Sequence, residues 1–105
     1  MGDAPLPAVA GPIEPEWSED ALADLNRFEA FLEKHHPELS AVIADAIIAQ
    51  AQLLAHHPKL GRPIAGRDEY RQLVLRVMRG AYVFQYRYDR SRLVILRVFH
   101  AHEER

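Results

Sequence analysis

The chain has 105 residues, a formal net charge of −2 and no cysteine, so it has room for one domain with a modest hydrophobic core. The absence of cysteine excludes disulfide frameworks and thiolate metal sites, and it agrees with a soluble protein of the cytoplasm. The apolar runs fall short of the roughly 18 residues that a membrane span requires, and the N terminus lacks the basic start of a signal peptide.

Charge is distributed unevenly along the chain. Residues 1–58 carry ten acidic and two basic side chains, a net charge of −8, whereas residues 59–105 carry five acidic and eleven basic side chains, a net charge of +6. Such asymmetry predicts either an anionic partner for the second half or mutual neutralisation of the two halves within the fold.

The first twelve residues are rich in Pro, Ala and Gly. We therefore expect residues 1–12 to form a flexible leader ahead of a single domain at residues 13–105. Apolar and acidic residues alternate over Ile13–Trp17, which predicts a short first strand. Pro15 restricts that strand to the edge of a sheet, because proline has no N–H group to donate.

Two helices are predicted next. Ser18 is a suitable N-cap for the first helix, whose apolar stripe at helical spacing extends to about His35. Pro37 suits the first position of a second helix, which should end near His57 because a proline follows. Since only a couple of residues separate the helices, we expect an antiparallel hairpin, followed by a loop over Leu60–Gly66.

The last third of the chain holds three apolar runs of strand length between Tyr70 and Ala101. Turn residues separate them at Arg79-Gly80 and at Asp89–Arg92, which predicts an antiparallel meander. The complete order is β-α-α-β-β-β, an α+β fold in which the helical hairpin packs on one face of an antiparallel sheet.

Both faces of the predicted sheet are apolar, and a two-helix hairpin can cover only one of them. The other face should expose apolar and aromatic side chains interleaved with arginines, which suits a docking surface. In the last strand, strict alternation places Val94, Leu96, Val98 and His100 on one face and Leu93, Ile95, Arg97 and Phe99 on the other.

Two histidine pairs that precede prolines, His35-His36 and His56-His57, raise the question of a metal site. They lie at opposite ends of a predicted helix, roughly 30 Å apart at about 1.5 Å per residue, so they cannot share an ion. Histidines also favour the C-terminal ends of helices. We predict no metal and no cofactor, since the chain has no Gly-rich phosphate loop, zinc signature or Ser-His-Asp order.

Arginines within the strands are the most informative residues, because guanidinium groups pair well with carboxylates and phosphates. Their target is a nucleic acid, an acidic protein segment or the acidic helices of the chain itself. The histidines at the end of the last strand either form an acid/base pair or lie in an exposed tail. The predicted partner-binding or target-binding residues are Arg62, Arg71, Arg76, Tyr82, Arg87, Arg97, His100 and His102.

Several segments resemble, in order and spacing, the RelE/ParE superfamily of toxins from type II toxin–antitoxin modules, and more closely its ParE, or plasmid-stabilisation, branch. The resemblance spans residues 13–102. The segments that carry it are Ile13–Leu25, His57–Pro63, Glu69–Leu73, Gly80–Arg87 and Val94–His100.

The resemblance implies the β-α-α-β-β-β fold and a cognate antitoxin that wraps its C-terminal segment over the toxin. ParE-like toxins inhibit DNA gyrase and block replication, whereas RelE-like toxins cleave mRNA on the ribosome. In that ribonuclease alternative the catalytic residues would be Arg71, Arg97 and His100. A further alternative is a non-toxic relic that only binds an antitoxin. We favour gyrase inhibition without enzymatic activity, because a net acidic chain with two lysines suits the anionic ribosome poorly.

Overall fold

A computed structural model describes residues 13–77 and 80–101 of the chain. The predicted leader, residues 1–12, lies outside the described residues. Within these ranges the element order is β-α-α-β-β-β-β, one strand more than predicted. The elements are β1 (Pro15–Trp17), α1 (Glu19–His35), α2 (Pro37–His56), β2 (Arg62–Ile64), β3 (Arg67–Val77), β4 (Gly80–Tyr88) and β5 (Leu93–His100).

The described strands form one sheet in the order β1-β5-β4-β3-β2. Strands β2 to β5 pair antiparallel, whereas β1 is parallel to β5, with Trp17 opposite Ile95. β1 lies at an edge, as Pro15 predicted. The prediction of a wholly antiparallel sheet was wrong for this pair, because strand direction here depends on contacts between the two ends of the chain and not on the local pattern.

The additional strand β2 lies in the segment that was predicted as a loop. Ala65 and Gly66 have φ angles of 51° and 74°, the left-handed backbone that a two-residue hairpin turn requires. This turn folds the preceding residues back on β3, with Arg62 opposite Gln72 and Pro63 opposite Arg71. Three residues are too few for an alternating pattern, so the sequence carried no strand signal here.

The structure confirms the predicted start of the first helix and the predicted junction between the two helices. Ser18 caps α1, its hydroxyl accepting a hydrogen bond from the Ala21 N–H at 3.0 Å. α1 ends at His35 and α2 begins at Pro37, as the proline predicted. α2 is long and apolar enough to cross a membrane, judged by length and composition alone. The search for uninterrupted apolar runs in the sequence does not detect this helix, because polar residues interrupt it. Core helices of soluble proteins pass the same test, and α2 places Ile47 and Leu54 in the core.

The hydrophobic core lies between the two helices and one face of the sheet. Full burial of a side chain of this kind contributes about 1.5–3 kcal/mol, so these contacts hold the hairpin on the sheet. The core residues with 0% exposure and large side chains are Leu54, Phe84, Tyr86, Leu93, Ile95 and Val98.

Strand β5 contains a bulge that interrupts its alternation. Gln85 of β4 lies opposite Arg97, but the next residue, Tyr86, lies opposite Ile95, so Leu96 has no partner on β4. An unpaired residue of this kind shifts the side-chain pattern by one position.

The bulge corrects the predicted faces of the last strand. Leu93, Ile95 and Val98 all enter the core, although strict alternation had placed Val98 on the opposite face from the other two. The Ser18 hydroxyl donates a hydrogen bond to the Leu96 carbonyl at 2.9 Å, so the N-cap of α1 also fixes the bulge. Because this contact joins residues far apart in the chain, no local pattern could predict it.

Candidate partner-binding surface

The face of the sheet that points away from the helices carries a transverse apolar row. Val83 at its centre lies opposite Val74 of β3 and Phe99 of β5. Val74 is 46% exposed, whereas Val83 is buried by its neighbours. A partner that covered Val74 would remove this apolar surface from water. Together with Arg76, Gln85 and Arg87, these three residues define what we call the uncovered face.

Polar rows border the apolar row. The Gln85 side-chain amide donates a hydrogen bond to that of Gln72 at 3.2 Å. In the next row, Arg87 forms ion pairs with Glu69 at 3.5 Å and Asp89 at 3.2 Å. An apolar strip beside hydrogen-bonding groups has the composition of a protein–protein interface.

Two of the predicted binding arginines are available to a partner. Arg76 lies on the uncovered face and Arg62 on the edge strand β2, and both side chains are exposed. Neither forms an ion pair with a carboxylate in residues 13–77 or 80–101. A guanidinium without an internal partner can pair with an external carboxylate or phosphate without breaking a contact of the fold.

Arg71, in contrast, is built into the fold. It is 6% exposed and lies on the helix-covered face of β3. Its guanidinium donates hydrogen bonds to the carbonyls of Gly61 at 2.7 Å, Asp68 at 3.0 Å and Lys59 at 3.3 Å, and it pairs with the Asp68 carboxylate. These bonds fasten the segment after α2 to the sheet, so this predicted binding residue is held away from solvent.

Tyr86 completes the same attachment. Its hydroxyl donates a hydrogen bond to the Pro58 carbonyl at 2.7 Å and accepts one from the Gly61 N–H at 2.9 Å. Burial raises the pKa of the Tyr86 hydroxyl, against the hydrogen bond from Gly61 and the nearby charge of Arg71. A Cβ atom at Gly61 would lie 2.7 Å from the Gln72 carbonyl oxygen and 2.9 Å from the Tyr86 hydroxyl, so only glycine fits.

Arg97 also has an internal partner. Its Nε and Nη2 atoms bind the two carboxylate oxygens of Asp24 on α1 at 2.8 and 3.1 Å. Asp24 is 2% exposed and also accepts hydrogen bonds from the Val98 N–H at 2.8 Å and from Arg27 at 2.9 Å. Burial alone would raise the pKa of Asp24, but these bonds outweigh it and hold that pKa below its ordinary value.

The predicted aromatic and histidine positions meet at one end of the sheet. Tyr82 is buried and makes edge-to-face contacts with Phe28, at a centroid distance of 5.5 Å, and with His100 at 5.2 Å. His100 is only partly buried. His102 lies outside the described residues.

The three residues of the ribonuclease alternative do not form one cluster. Arg71 lies opposite Tyr86 and His100 lies opposite Tyr82, so four steps along β4 separate their levels, about 13 Å at roughly 3.3 Å per residue. Arg97, between these levels, is bound to Asp24. The part of the chain that the structure describes also contains no group of three or more metal-ligating side chains.

Sequence reasoning missed two residues that bind or lie beside these arginines: Asp24, which binds Arg97, and Tyr86, which lies opposite Arg71. Asp24 reads as one more acidic residue of an amphipathic helix, and Tyr86 as one aromatic residue in an apolar strand. The only local signal was the position of Asp24 on the apolar side of α1, four residues before Phe28. An acidic residue at a core position predicts an internal cation.

Comparison with known proteins identifies the family. Residues 16–105 match the family model described as the ParE toxin of the type II toxin–antitoxin system, parDE. The chain belongs to the ParE toxin family. It is 36% identical, over 89 residues, to a protein of Sinorhizobium fredii (strain NBRC 101917 / NGR234) named "Putative toxin Y4kP". That alignment covers 84% of this chain and 88% of the relative.

A solved structure supports the fold of this ParE-type toxin. The structure, described as the chromosomal ParDE TA system from P. aeruginosa, superposes with a TM-score of 0.67 and covers 84% of this chain and 95% of the other. At 22% sequence identity, the likeness shows a shared fold and no more. The predicted family and the α+β class are therefore confirmed.

Proposed function

We propose that this ParE-type toxin inhibits DNA gyrase in the cytoplasm, and that a cognate antitoxin keeps it inactive. The family match over residues 16–105 carries the proposal. The side-chain geometry favours binding over RNA cleavage, because Arg71 is buried and hydrogen-bonded within the fold, and Arg97, although exposed, is bound to Asp24. The antitoxin partner is proposed on the same ground, because the description of the matched family names a toxin–antitoxin system.

The antitoxin is proposed to cover the uncovered face. Its apolar row offers the exposed side chain of Val74, and Gln85 and Arg87 offer hydrogen-bonding groups beside it. An amphipathic helix or an added strand would bury this row, as peptide segments do on other exposed sheets. Arg62 and Arg76 are proposed to bind acidic groups of gyrase, because neither has an internal partner within the described ranges.

A supercoiling assay tests the gyrase proposal directly. Purified toxin added to gyrase and relaxed plasmid should prevent supercoiling and stabilise cleaved DNA complexes, and equimolar antitoxin should restore activity. The double variant Arg62→Gln/Arg76→Gln should inhibit less while unfolding like the wild type. Normal supercoiling at all concentrations of folded wild-type toxin contradicts the proposal.

Two further experiments separate the alternatives. Expression without antitoxin should arrest growth, and continued growth with folded toxin present would indicate a relic. Primer extension on translated mRNA should find intact transcripts during the arrest. Cuts at codon positions that disappear in Arg97→Ala would assign the toxin to the ribonuclease branch instead.

A further inference from the structure

An open depression of ≈ 630 Å³ lies at one end of the sheet, next to Arg87 of the uncovered face, whose partners Glu69 and Asp89 line it. Three segments meet there: the loop after α2, the start of β3 behind its hairpin turn, and the turn between β4 and β5. Each contributes one cation, Lys59, Arg67 and Arg90 respectively, and Tyr88 provides an aromatic wall. Cations brought together from three separate segments are a consequence of the fold and not of a local charge run.

The carboxylates that line the depression, Asp68, Glu69 and Asp89, are already engaged within the fold. The first two form ion pairs with Arg71 and Arg87. Asp89 accepts hydrogen bonds from two backbone N–H groups of its own turn, at 3.2 and 3.0 Å. These bonds hold the pKa of Asp89 below its ordinary value, so its charge is stabilised locally.

The three lining cations have no such partners. None of the Lys59, Arg67 and Arg90 side chains forms an ion pair or a hydrogen bond with residues 13–77 or 80–101. The Arg67 guanidinium instead lies 4.6 Å from the centre of the Tyr70 ring, which orders it without neutralising it. Arg90 has a left-handed backbone with a φ of 83°. The fold therefore engages the anions of the depression and leaves its cations available to a ligand.

We propose that this basic depression binds the phosphate backbone of DNA, taking one nucleotide unit between Lys59, Arg67 and Arg90. The choice of DNA over other polyanions rests on the proposed function, because gyrase acts on DNA. A toxin that binds gyrase and the adjacent DNA together would hold the cleaved complex more tightly than one that binds protein alone.

The chemistry of the lining fits this ligand. Guanidinium groups bind the two free oxygens of a phosphodiester through paired hydrogen bonds, and an ammonium group adds a point charge. The volume lies within the range of sites for small organic ligands and exceeds what a single inorganic ion needs. Tyr88 offers a flat surface on which a sugar or base can pack.

The two lysines of the chain provide a matched pair of variants. Lys59 lines the depression, whereas Lys34 lies exposed in the last turn of α1. Binding of a short fluorescent DNA duplex to the toxin alone, without gyrase, is measured by anisotropy over a range of salt concentrations. Lys59→Gln should weaken binding about eightfold at ~0.1 M salt and reduce the salt slope by about 0.9, the effect of one phosphate contact. Lys34→Gln should change neither quantity, and Lys59→Gln/Arg67→Gln/Arg90→Gln should abolish binding.

Several outcomes would overturn the proposal: equal effects of the two lysine variants, no binding by the wild type, or competition by poly-glutamate or RNA as effective as that by DNA. The result is separable from the gyrase proposal. Wild-type toxin that binds DNA through Lys59 but leaves supercoiling intact contradicts only gyrase inhibition. Toxin that inhibits gyrase without binding DNA contradicts only the basic depression.

Discussion

Arg71 and Arg76 lie on opposite faces of strand β3, and these two arginines differ in burial and in contacts. Arg71 on the helix-covered face is 6% exposed and bound to three carbonyls and a carboxylate. Arg76, five residues later on the uncovered face, is exposed and has no ion pair within the described ranges. An arginine among apolar neighbours is therefore not by itself a sign of function. Whether the fold supplies its partner decides between a structural and a binding role.

The largest difference between the faces should appear when apolar side chains are truncated. Phe84→Ala on the covered face should lower the free energy of unfolding by about 4 kcal/mol, because its side chain is fully buried. Val74→Ala on the uncovered face should lower it by less than about 1 kcal/mol. Urea unfolding of both variants measures the contrast, and equal losses would mean that something within the chain covers Val74.

Replacement of Arg71 and of Arg76 should give the next largest difference in the free energy of unfolding. Arg71→Ala should cost about 3 kcal/mol, because the carbonyls of Gly61 and Lys59 lose their donors and the segment after α2 loses its attachment. Arg76→Ala should stay within about 0.5 kcal/mol of the wild type. The same urea experiment applies, and a neutral Arg71→Ala variant would show that these hydrogen bonds do not hold the segment after α2 in place.

A pH titration sharpens the comparison for Arg97 and its partner. Asp24→Asn should lower the free energy of unfolding by about 2 kcal/mol at pH 7, since hydrogen bonds to a buried carboxylate are lost or weakened. The folded pKa of Asp24 lies below its unfolded value, so its contribution is complete above that unfolded value and disappears as the pH falls through the folded pKa.

The difference between wild type and Asp24→Asn should therefore shrink below about pH 4, near the unfolded pKa of an aspartate. Asp20→Asn, at an exposed position of the first turn of α1, serves as the control for loss of a surface carboxylate from the same helix. A constant difference down to the acid limit would show that the charge of Asp24 is not what stabilises this contact.

The smallest predicted effect concerns the bulge in β5. Ser18→Ala removes the cap of α1 and the hydrogen bond to the Leu96 carbonyl, and should cost about 1 kcal/mol. Ser91→Ala, in an exposed turn, is the control. Amide exchange should become faster around Leu96 in the first variant only, because the bulge loses its contact with the helix.

Local signals predicted the parts of the fold that depend on neighbouring residues. Ser18 and Pro37 marked the helix starts, the apolar runs marked β3 to β5, and Pro15 marked an edge strand. The parallel pairing of β1, the strand β2 and the bulge at Leu96 escaped prediction, because each depends on partners distant in the chain or on an unusual turn.

For the candidate site, too, local properties were predictable and contacts between distant segments were not. The binding arginines were predicted from residue type and strand position, which are local properties. Arg71 and Arg97 have internal partners, Gly61 and Asp24, which only the complete fold brings near them. The sequence did not predict Lys59, Arg67 or Arg90 as binding residues, since nothing in their positions along the chain indicates a shared depression.

One pair of variants tests the central claim that the antitoxin binds the uncovered face. Val74 on this face and Val42 on α2 are 46% and 48% exposed, so a change to aspartate replaces a similarly exposed apolar side chain at either site. With equal folded fractions, Val74→Asp should lose affinity for the antitoxin by at least about tenfold, measured by calorimetry, whereas Val42→Asp should bind like the wild type. Full affinity in Val74→Asp, or loss only in Val42→Asp, would contradict the account and place the interface on the helices.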